Sequence, residues 1–186
     1  MVLTECIQHA PLLECLQKSP VDARSMAQLV WLIIALPLAG AFICGAFGRM
    51  LGRANTNLIA CSAVAGSFVL CVLAFWAVND RATTLVSPFS RDPIRYALGH
   101  DFGTWFAVGS FQVSFGLVVD HLSAVMTLVV TGVGFLIHVY STSYMANDKG
   151  YWRFFAYLNL FIAMMLTLVL ADSLPLLFVG WEGVGL

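Results

Sequence analysis

Apolar runs of membrane-spanning length are the feature that most restricts how this chain can fold. A bilayer core about 30 Å thick is crossed by a helix of about 20 apolar residues. Four runs in the sequence have this length: residues 26–47, 58–78, 117–140 and 154–171. A fifth, shorter run begins near Ser173 and continues to Leu186. The sequence therefore predicts an all-α transmembrane helix bundle with four full spans and an incomplete fifth.

The composition fits a protein whose main solvent is lipid. Hydrophobic residues make up 60% of the chain and charged residues 10%, whereas a soluble domain has about 25% charged residues. The basic residues are scattered, which excludes the clustered Lys and Arg that bind a nucleic acid backbone. We therefore expect the lipid bilayer to surround the apolar helices. Because the fifth run is too short to cross it, we expect an N-terminal fragment of a longer protein.

Basic residues in two connections predict the orientation of the spans. Arg49 and Arg53 follow the first span. Lys149 and Arg153 precede the fourth. These two connections lie at the same end of the bundle if the spans alternate, and the positive-inside rule places that end in the cytoplasm. We therefore predict a multi-pass protein with its N-terminus on the periplasmic side.

Two segments lie outside the predicted spans. Between the second and third spans, apolar and small or polar residues alternate over 104–115, with Gly109 and Ser110 in the middle, which predicts a short β-hairpin. Residues 1–25 carry acids, bases and prolines and form an N-terminal extension. The open interpretations are a disordered segment, an amphipathic segment, or an upstream start outside the domain that a second initiator at Met26 makes unnecessary. The transmembrane domain is expected to occupy 26–186.

A single acid inside the last apolar run is the strongest candidate for chemistry. Glu182 lies eight residues after Leu174, which is about 12 Å of helical rise at about 1.5 Å per residue. A charged carboxylate at that depth costs at least about 2.5–3.5 kcal/mol. No Lys or Arg lies in the middle of an apolar run, so Glu182 must be protonated or paired with a cation from elsewhere. We interpret Glu182 as a buried proton-transfer group, with Gly180, Gly183 and Gly185 leaving space beside it; the alternative is a structural hydrogen bond in a closely packed interface.

Other polar residues are weaker candidates. His138, near the predicted cytoplasmic end of the third span, is a candidate proton relay or else an interface histidine. Asp120 and His121 are expected to cap the opposite end of that span, and Asn159 to bind another helix. The sequence contains no glycine-rich phosphate loop, nucleophile elbow or Cys/His cluster. We therefore expect no metal site, and no site for nicotinamide or flavin, in this chain.

Four segments carry a resemblance to a known family. They are TGVGFLIH at 131–138, YWRFFAYLNLF at 151–161, LVLAD at 168–172 and GWEGVGL at 180–186. Together they resemble the N-terminal part of NADH-quinone oxidoreductase subunit L, the large antiporter-like membrane subunit of respiratory complex I. The resemblance covers about 160 of the 186 residues and does not reach 1–25.

The resemblance implies a function for the whole protein. It implies an H+-translocating subunit of NADH:quinone oxidoreductase in the bacterial inner membrane, where quinone reduction elsewhere in the complex drives proton pumping. Glu182 would pass protons and pair with a lysine on a later helix, and His138 matches a histidine of the family motif. The partners would be the other membrane subunits of complex I. NADH, FMN, iron–sulfur clusters and quinone would be bound by other subunits, with no cofactor in this chain.

Two other readings of the same residues stay open. The large subunit of a multisubunit cation/proton antiporter would have the same helices and the same glutamate. A structural membrane scaffold would have the helices without any proton role for Glu182. If the chain is part of the translocase that the resemblance implies, a fragment of this length is not expected to be catalytically active alone.

Overall fold

The computed structural model describes residues 23–79, 98–108 and 111–185. Of the predicted extension 1–25, all but the last three residues lie outside the described part, so that prediction is not addressed by the fold. The elements, in chain order, are α1 (Ala23–Asn79), β1 (Leu98–Val108), β2 (Phe111–Val119), α2 (His121–Tyr144), α3 (Tyr151–Leu170) and α4 (Leu174–Gly185).

Helix α1 folds back on itself at Gly52. The backbone there has φ 75° and ψ 170°, in the positive-φ region that glycine adopts without the steric cost of a Cβ. The two arms, 23–51 and 53–79, lie side by side. The Ser67 hydroxyl of the second arm donates a hydrogen bond of 2.6 Å to the Ile33 carbonyl of the first. The helix is therefore a hairpin of two antiparallel arms.

Three helices in the described part of the chain are long and apolar enough to cross a membrane. They are α1 from Gln28 to Asn79, α2 and α3. Helix α4 is apolar but has only 12 residues. The sequence predicts separate first and second spans joined by a loop at 48–57. In the structure that segment is helical except at Gly52, because its other residues, polar and apolar alike, are compatible with a helix.

The predicted start of the third span is also displaced. Residues 117–119 belong to β2, and α2 begins only at His121. Asp120 is the N-cap of α2: its carboxylate accepts a hydrogen bond of 2.7 Å from the Ser123 backbone N–H. The Ser123 hydroxyl accepts in return from the Asp120 backbone N–H at 2.7 Å. This reciprocal capping box ends the strand and starts the helix, as the predicted cap at Asp120 requires.

Removing the capping carboxylate should destabilise α2 measurably. We expect Asp120→Ala to lower the free energy of unfolding by about 1 kcal/mol, because the Ser123 N–H loses its acceptor. Thermal unfolding in detergent, followed by circular dichroism, measures the change. Asp120→Asn is the control, since its amide oxygen still accepts. Equal losses in the two variants would contradict the capping role.

The two strands form one antiparallel sheet that is longer than the predicted hairpin. Pairing runs from Leu98↔Val119 to Val108↔Phe111, and the expected turn residues 109–110 lie outside the described residues. The Asp172 backbone N–H donates a hydrogen bond of 3.1 Å to the carbonyl of Gly116. The sheet edge is therefore joined to the turn between α3 and α4.

Helix α3 occupies the centre of the bundle. It packs against both arms of α1 and also against α2 and α4. Buried side chains from every element fill the main core, among them Ile33, Cys71, Leu98, Leu117, Ala124, Ile162, Leu166 and Leu176. This packing fixes the positions of the two predicted site residues relative to α3.

Candidate functional site

Helix α4 lies against α3 through two glycines. A Cβ on Gly180 would lie only 2.6 Å from the backbone nitrogen of Leu168, and one on Gly183 would lie 2.6 Å from the Met164 sulfur. Leu176, one turn before Gly180, is buried on the same side. The backbones of the two helices therefore approach too closely for any larger residue at Gly180.

Glu182 lies on the opposite side of α4. Successive residues of an α-helix turn by about 100°, so Glu182 is about 200° from Gly180. Its side chain is exposed, as are those of Phe178 and Trp181, whose ring centroids are 6.2 Å apart. Among the described residues, Glu182 has no hydrogen bond or ion pair. The expected burial of Glu182 is therefore not provided by the described helices.

The glycines near Glu182 let another helix approach closely, as expected, but not beside the carboxylate. Gly180 and Gly183 admit helix α3 on the opposite side of α4, and a Cβ on Gly185 would meet no described atom within 4 Å. The close packing therefore fixes the rotation of α4, and that rotation turns Glu182 away from the described bundle.

His138 belongs to α2, and its side chain is fully buried against α3. Its Nδ1 is 2.8 Å from the carbonyl oxygen of Gly134. Because a carbonyl only accepts, Nδ1 carries a hydrogen and donates. The other ring nitrogen, Nε2, has no hydrogen-bond partner in the described part of the chain. The ring centroid lies 6.1 Å from that of Phe155. An imidazole with one free nitrogen has a site at which a proton can be gained or lost.

The structure does not bring the two predicted site residues together. His138 lies beside Phe155 of α3, whereas Gly183, next to Glu182, lies against Met164. Phe155 and Met164 are separated along α3 by nine residues, or about 14 Å of helical rise. Direct proton transfer between the two side chains is therefore excluded, and a path between them would need intermediate groups.

Two polar features of the structure were not singled out as site candidates from the sequence. Asn159 is fully buried: its amide donates a hydrogen bond of 3.0 Å to the Phe155 carbonyl, and its Oδ1 has no donor among the described residues. A Cβ on Gly40 would lie 2.9 Å from that Oδ1, so Asn159 contacts α1 as expected of an interhelical residue. It lies one turn along α3 from the ring that contacts His138.

The second feature is a line of small and polar residues along the buried face of α2. Thr127 and Thr131 donate to carbonyls of their own helix, at 2.9 and 2.7 Å. The spacing of three and four residues could have revealed this face in the sequence. Its buried members are Ser123, Ala124, Thr127, Thr131, Gly134, His138 and Ser141.

Residues 23–79, 98–108 and 111–185 contain no cluster of three or more His, Cys, Asp or Glu side chains that could hold a metal. The polar atoms identified above are instead single nitrogens and oxygens on separate helices. The described polar side chains can donate and accept hydrogen bonds, and Glu182 and His138 carry the ionisable groups that the sequence singled out.

Comparison with known proteins relates the sequence to one family. Residues 105–155 match the family model described as NADH-ubiquinone oxidoreductase (complex I), chain 5 N-terminus. NADH-quinone oxidoreductase subunit L of Escherichia coli (strain K12) is 48% identical over 155 residues, 83% of this chain and 23% of the relative. Subunit L of Mycobacterium tuberculosis (strain ATCC 25618 / H37Rv) is 46% identical over 156 residues, 84% of this chain and 23% of the relative.

A eukaryotic relative carries the corresponding name. NADH-ubiquinone oxidoreductase chain 5 of Chondrus crispus is 40% identical over 159 residues, 83% of this chain and 21% of the relative. The chain thus spans between a fifth and a quarter of the length of these relatives. By these matches, more than four fifths of this chain is similar to NADH-quinone oxidoreductase subunit L and to the chain 5 proteins.

Proposed function

We propose that the chain is part of a proton-translocating membrane subunit of NADH:quinone oxidoreductase, in which Glu182 passes protons. Quinone reduction in other subunits would supply the free energy, and NADH, FMN, iron–sulfur clusters and quinone would be bound there. Other membrane subunits of the complex would be the partners. The names of the relatives support this assignment over a separate cation/proton antiporter.

The observation that carries the proposal is a carboxylate on an apolar helix that has no partner among the described residues. Glu182 shares its exposed surface with Phe178 and Trp181. An ionised carboxylate against lipid would cost at least about 2.5–3.5 kcal/mol. We infer that this surface meets protein carrying a positive charge and not lipid. An adjacent cation stabilises the ionised form and its withdrawal favours protonation, so Glu182 can alternate between the two states.

The same proposal assigns a topology. The two arms of α1, together with α2 and α3, would cross the membrane four times, and α4 would be the beginning of a fifth span. The turn at Gly52 would face the cytoplasm, and the N-terminus the periplasm of a bacterial inner membrane. The excess of basic residues around that turn supports this orientation.

Replacing Glu182 tests the proton role directly. In inverted membrane vesicles that contain the whole complex, we expect Glu182→Gln to reduce NADH-driven proton uptake by at least about tenfold, because an amide cannot hold and release a proton. Glu182→Asp keeps a carboxylate and should retain part of the activity. Proton uptake by the Gln variant at the wild-type rate, with normal assembly of the complex, would contradict the proton role of Glu182. The chain would then be interpreted as a structural scaffold.

A further inference from the structure

A cavity that opens to the surface lies at the end of the bundle opposite the sheet. It has a volume of about 240 Å³. Its walls come from the turn of α1 around Gly52 and from the connection between α2 and α3. Gly48 lets the two walls meet, since a Cβ there would lie 2.7 Å from the Cβ of Trp152.

The charge of this cavity is strongly positive. Arg49, Arg53 and Lys149 line it together with a single acid, Asp148, which gives the lining a net charge of +2. Asp148 is already engaged, because its Oδ1 accepts a hydrogen bond from the Gly150 backbone N–H. None of the three cations forms an ion pair with another described residue. The cavity therefore offers several charged donors to a ligand from outside.

These donors fit a phosphate group. A guanidinium can donate two parallel hydrogen bonds to phosphate oxygens, and a lysine ammonium adds a point charge. Trp152 and Tyr151 also line the cavity, and Tyr and Trp are enriched at the level of lipid headgroups. Beside the cavity, Phe47 and Met50 expose apolar side chains. A lipid would lay its acyl chains on such a surface, whereas a free phosphate ion would make no use of it.

We propose that this cavity binds the phosphate of an anionic glycerophospholipid headgroup, held by Arg49, Arg53 and Lys149. The inference rests on the membrane topology proposed above, which places the cavity at the cytoplasmic surface. Basic pockets between transmembrane helices on that side are suited to anionic headgroups. The bound lipid would join the α1 turn to the α2–α3 connection. It would thus hold the two arms of α1 to helices α2 and α3 at this end of the bundle.

Lipid-dependent stabilisation tests the site. The full protein, purified in mild detergent, is heated with added phosphatidylglycerol, phosphatidylcholine or inorganic phosphate, and its unfolding is followed by intrinsic fluorescence. We expect phosphatidylglycerol to raise the unfolding temperature and phosphatidylcholine to have little effect. Loss of one charge-assisted contact should weaken the apparent affinity by about tenfold, so the Arg49→Gln/Arg53→Gln double variant should need at least that much more phosphatidylglycerol.

A matched variant separates a built site from general surface charge. Arg153 belongs to the same end of the bundle but does not line the cavity; its guanidinium lies 5.0 Å from the ring centroid of Trp152. Arg153→Gln removes the same charge and should leave the response to phosphatidylglycerol within about twofold of wild type, because it removes no phosphate contact. An equal loss in Arg153→Gln and in the double variant would overturn the proposal.

The remaining outcomes are equally decisive. Stabilisation by inorganic phosphate as strong as that by the lipid, and lost in the same double variant, would support a phosphate site that takes its ligand from solution. No response to either anion would overturn the site. Lys149→Gln, in an exposed connection, provides a second lining variant if the double variant fails to fold. Proton uptake is not needed for this readout, so its failure and that of the Glu182 proposal remain distinguishable.

Discussion

Gly180→Ala should detach α4 from α3. The added methyl group would lie 2.6 Å from the backbone nitrogen and 2.8 Å from the Cα of Leu168, and backbone atoms cannot move aside as a flexible side chain can. Overpacking typically costs about 1–3 kcal/mol, and we expect this substitution at the upper end of that range. The measurement is the shift of the thermal unfolding midpoint of the full protein in detergent, with recovery of the assembled complex from membranes as a second readout.

Gly185→Ala is the matched control for Gly180→Ala. It introduces the same methyl group on the same helix, but no described atom lies within 4 Å of the new Cβ. We therefore expect a smaller loss of stability there than in Gly180→Ala, and the higher helix propensity of alanine acts in the same direction. If Gly180→Ala were as stable as Gly185→Ala, the close contact between α4 and Leu168 would be wrong.

His138→Leu should separate stability from proton transport. The buried Nε2 has no partner among the described residues, and an unsatisfied buried polar atom costs about 1–3 kcal/mol. A leucine removes that atom, so we expect the unfolding midpoint to stay level or rise. If His138 relays protons, NADH-driven proton uptake should nevertheless fall, by about a hundredfold where the relay is obligatory.

His138→Gln identifies which property of the histidine matters. Glutamine keeps hydrogen-bonding capacity but does not titrate near neutral pH. Loss of proton uptake in both variants would support a proton relay. Retention of uptake in the Gln variant alone would show that a hydrogen bond is enough. A marked loss of stability in His138→Leu would instead indicate that Nε2 is satisfied by a group beyond the described residues.

The sequence predicted the helical elements well because their length and apolar content have few other solutions. Helix α3 and the cap at Asp120 follow from local patterns of this kind. The break at Gly52 was harder to locate, because polar residues on both sides suggested a longer loop. The early start predicted for α2 has a different origin: Leu117 and Val119 are apolar, and a strand that packs on the core is as apolar as a helix.

The sequence identified the candidate site residues, but not where their side chains lie in the fold. An acid in an apolar run identifies Glu182, but the face it occupies depends on how Gly180 packs against Leu168. That contact joins two helices and leaves no local signal in the sequence. His138 was recognisable in the family motif, whereas the free state of its Nε2 depends on the neighbouring helix, which only the fold defines.

The junction of the sheet with the turn before α4 has a mechanical consequence. Leu117 pairs with Ala171, and the Asp172 N–H is bonded to Gly116, so the strand and the first turn of α4 cannot shift independently. Glu182 lies only ten residues beyond that bond, on the short helix α4. A displacement of the β1–β2 hairpin would therefore tilt α4 and move Glu182. A displacement of the Gly52 turn would not act on α4 directly.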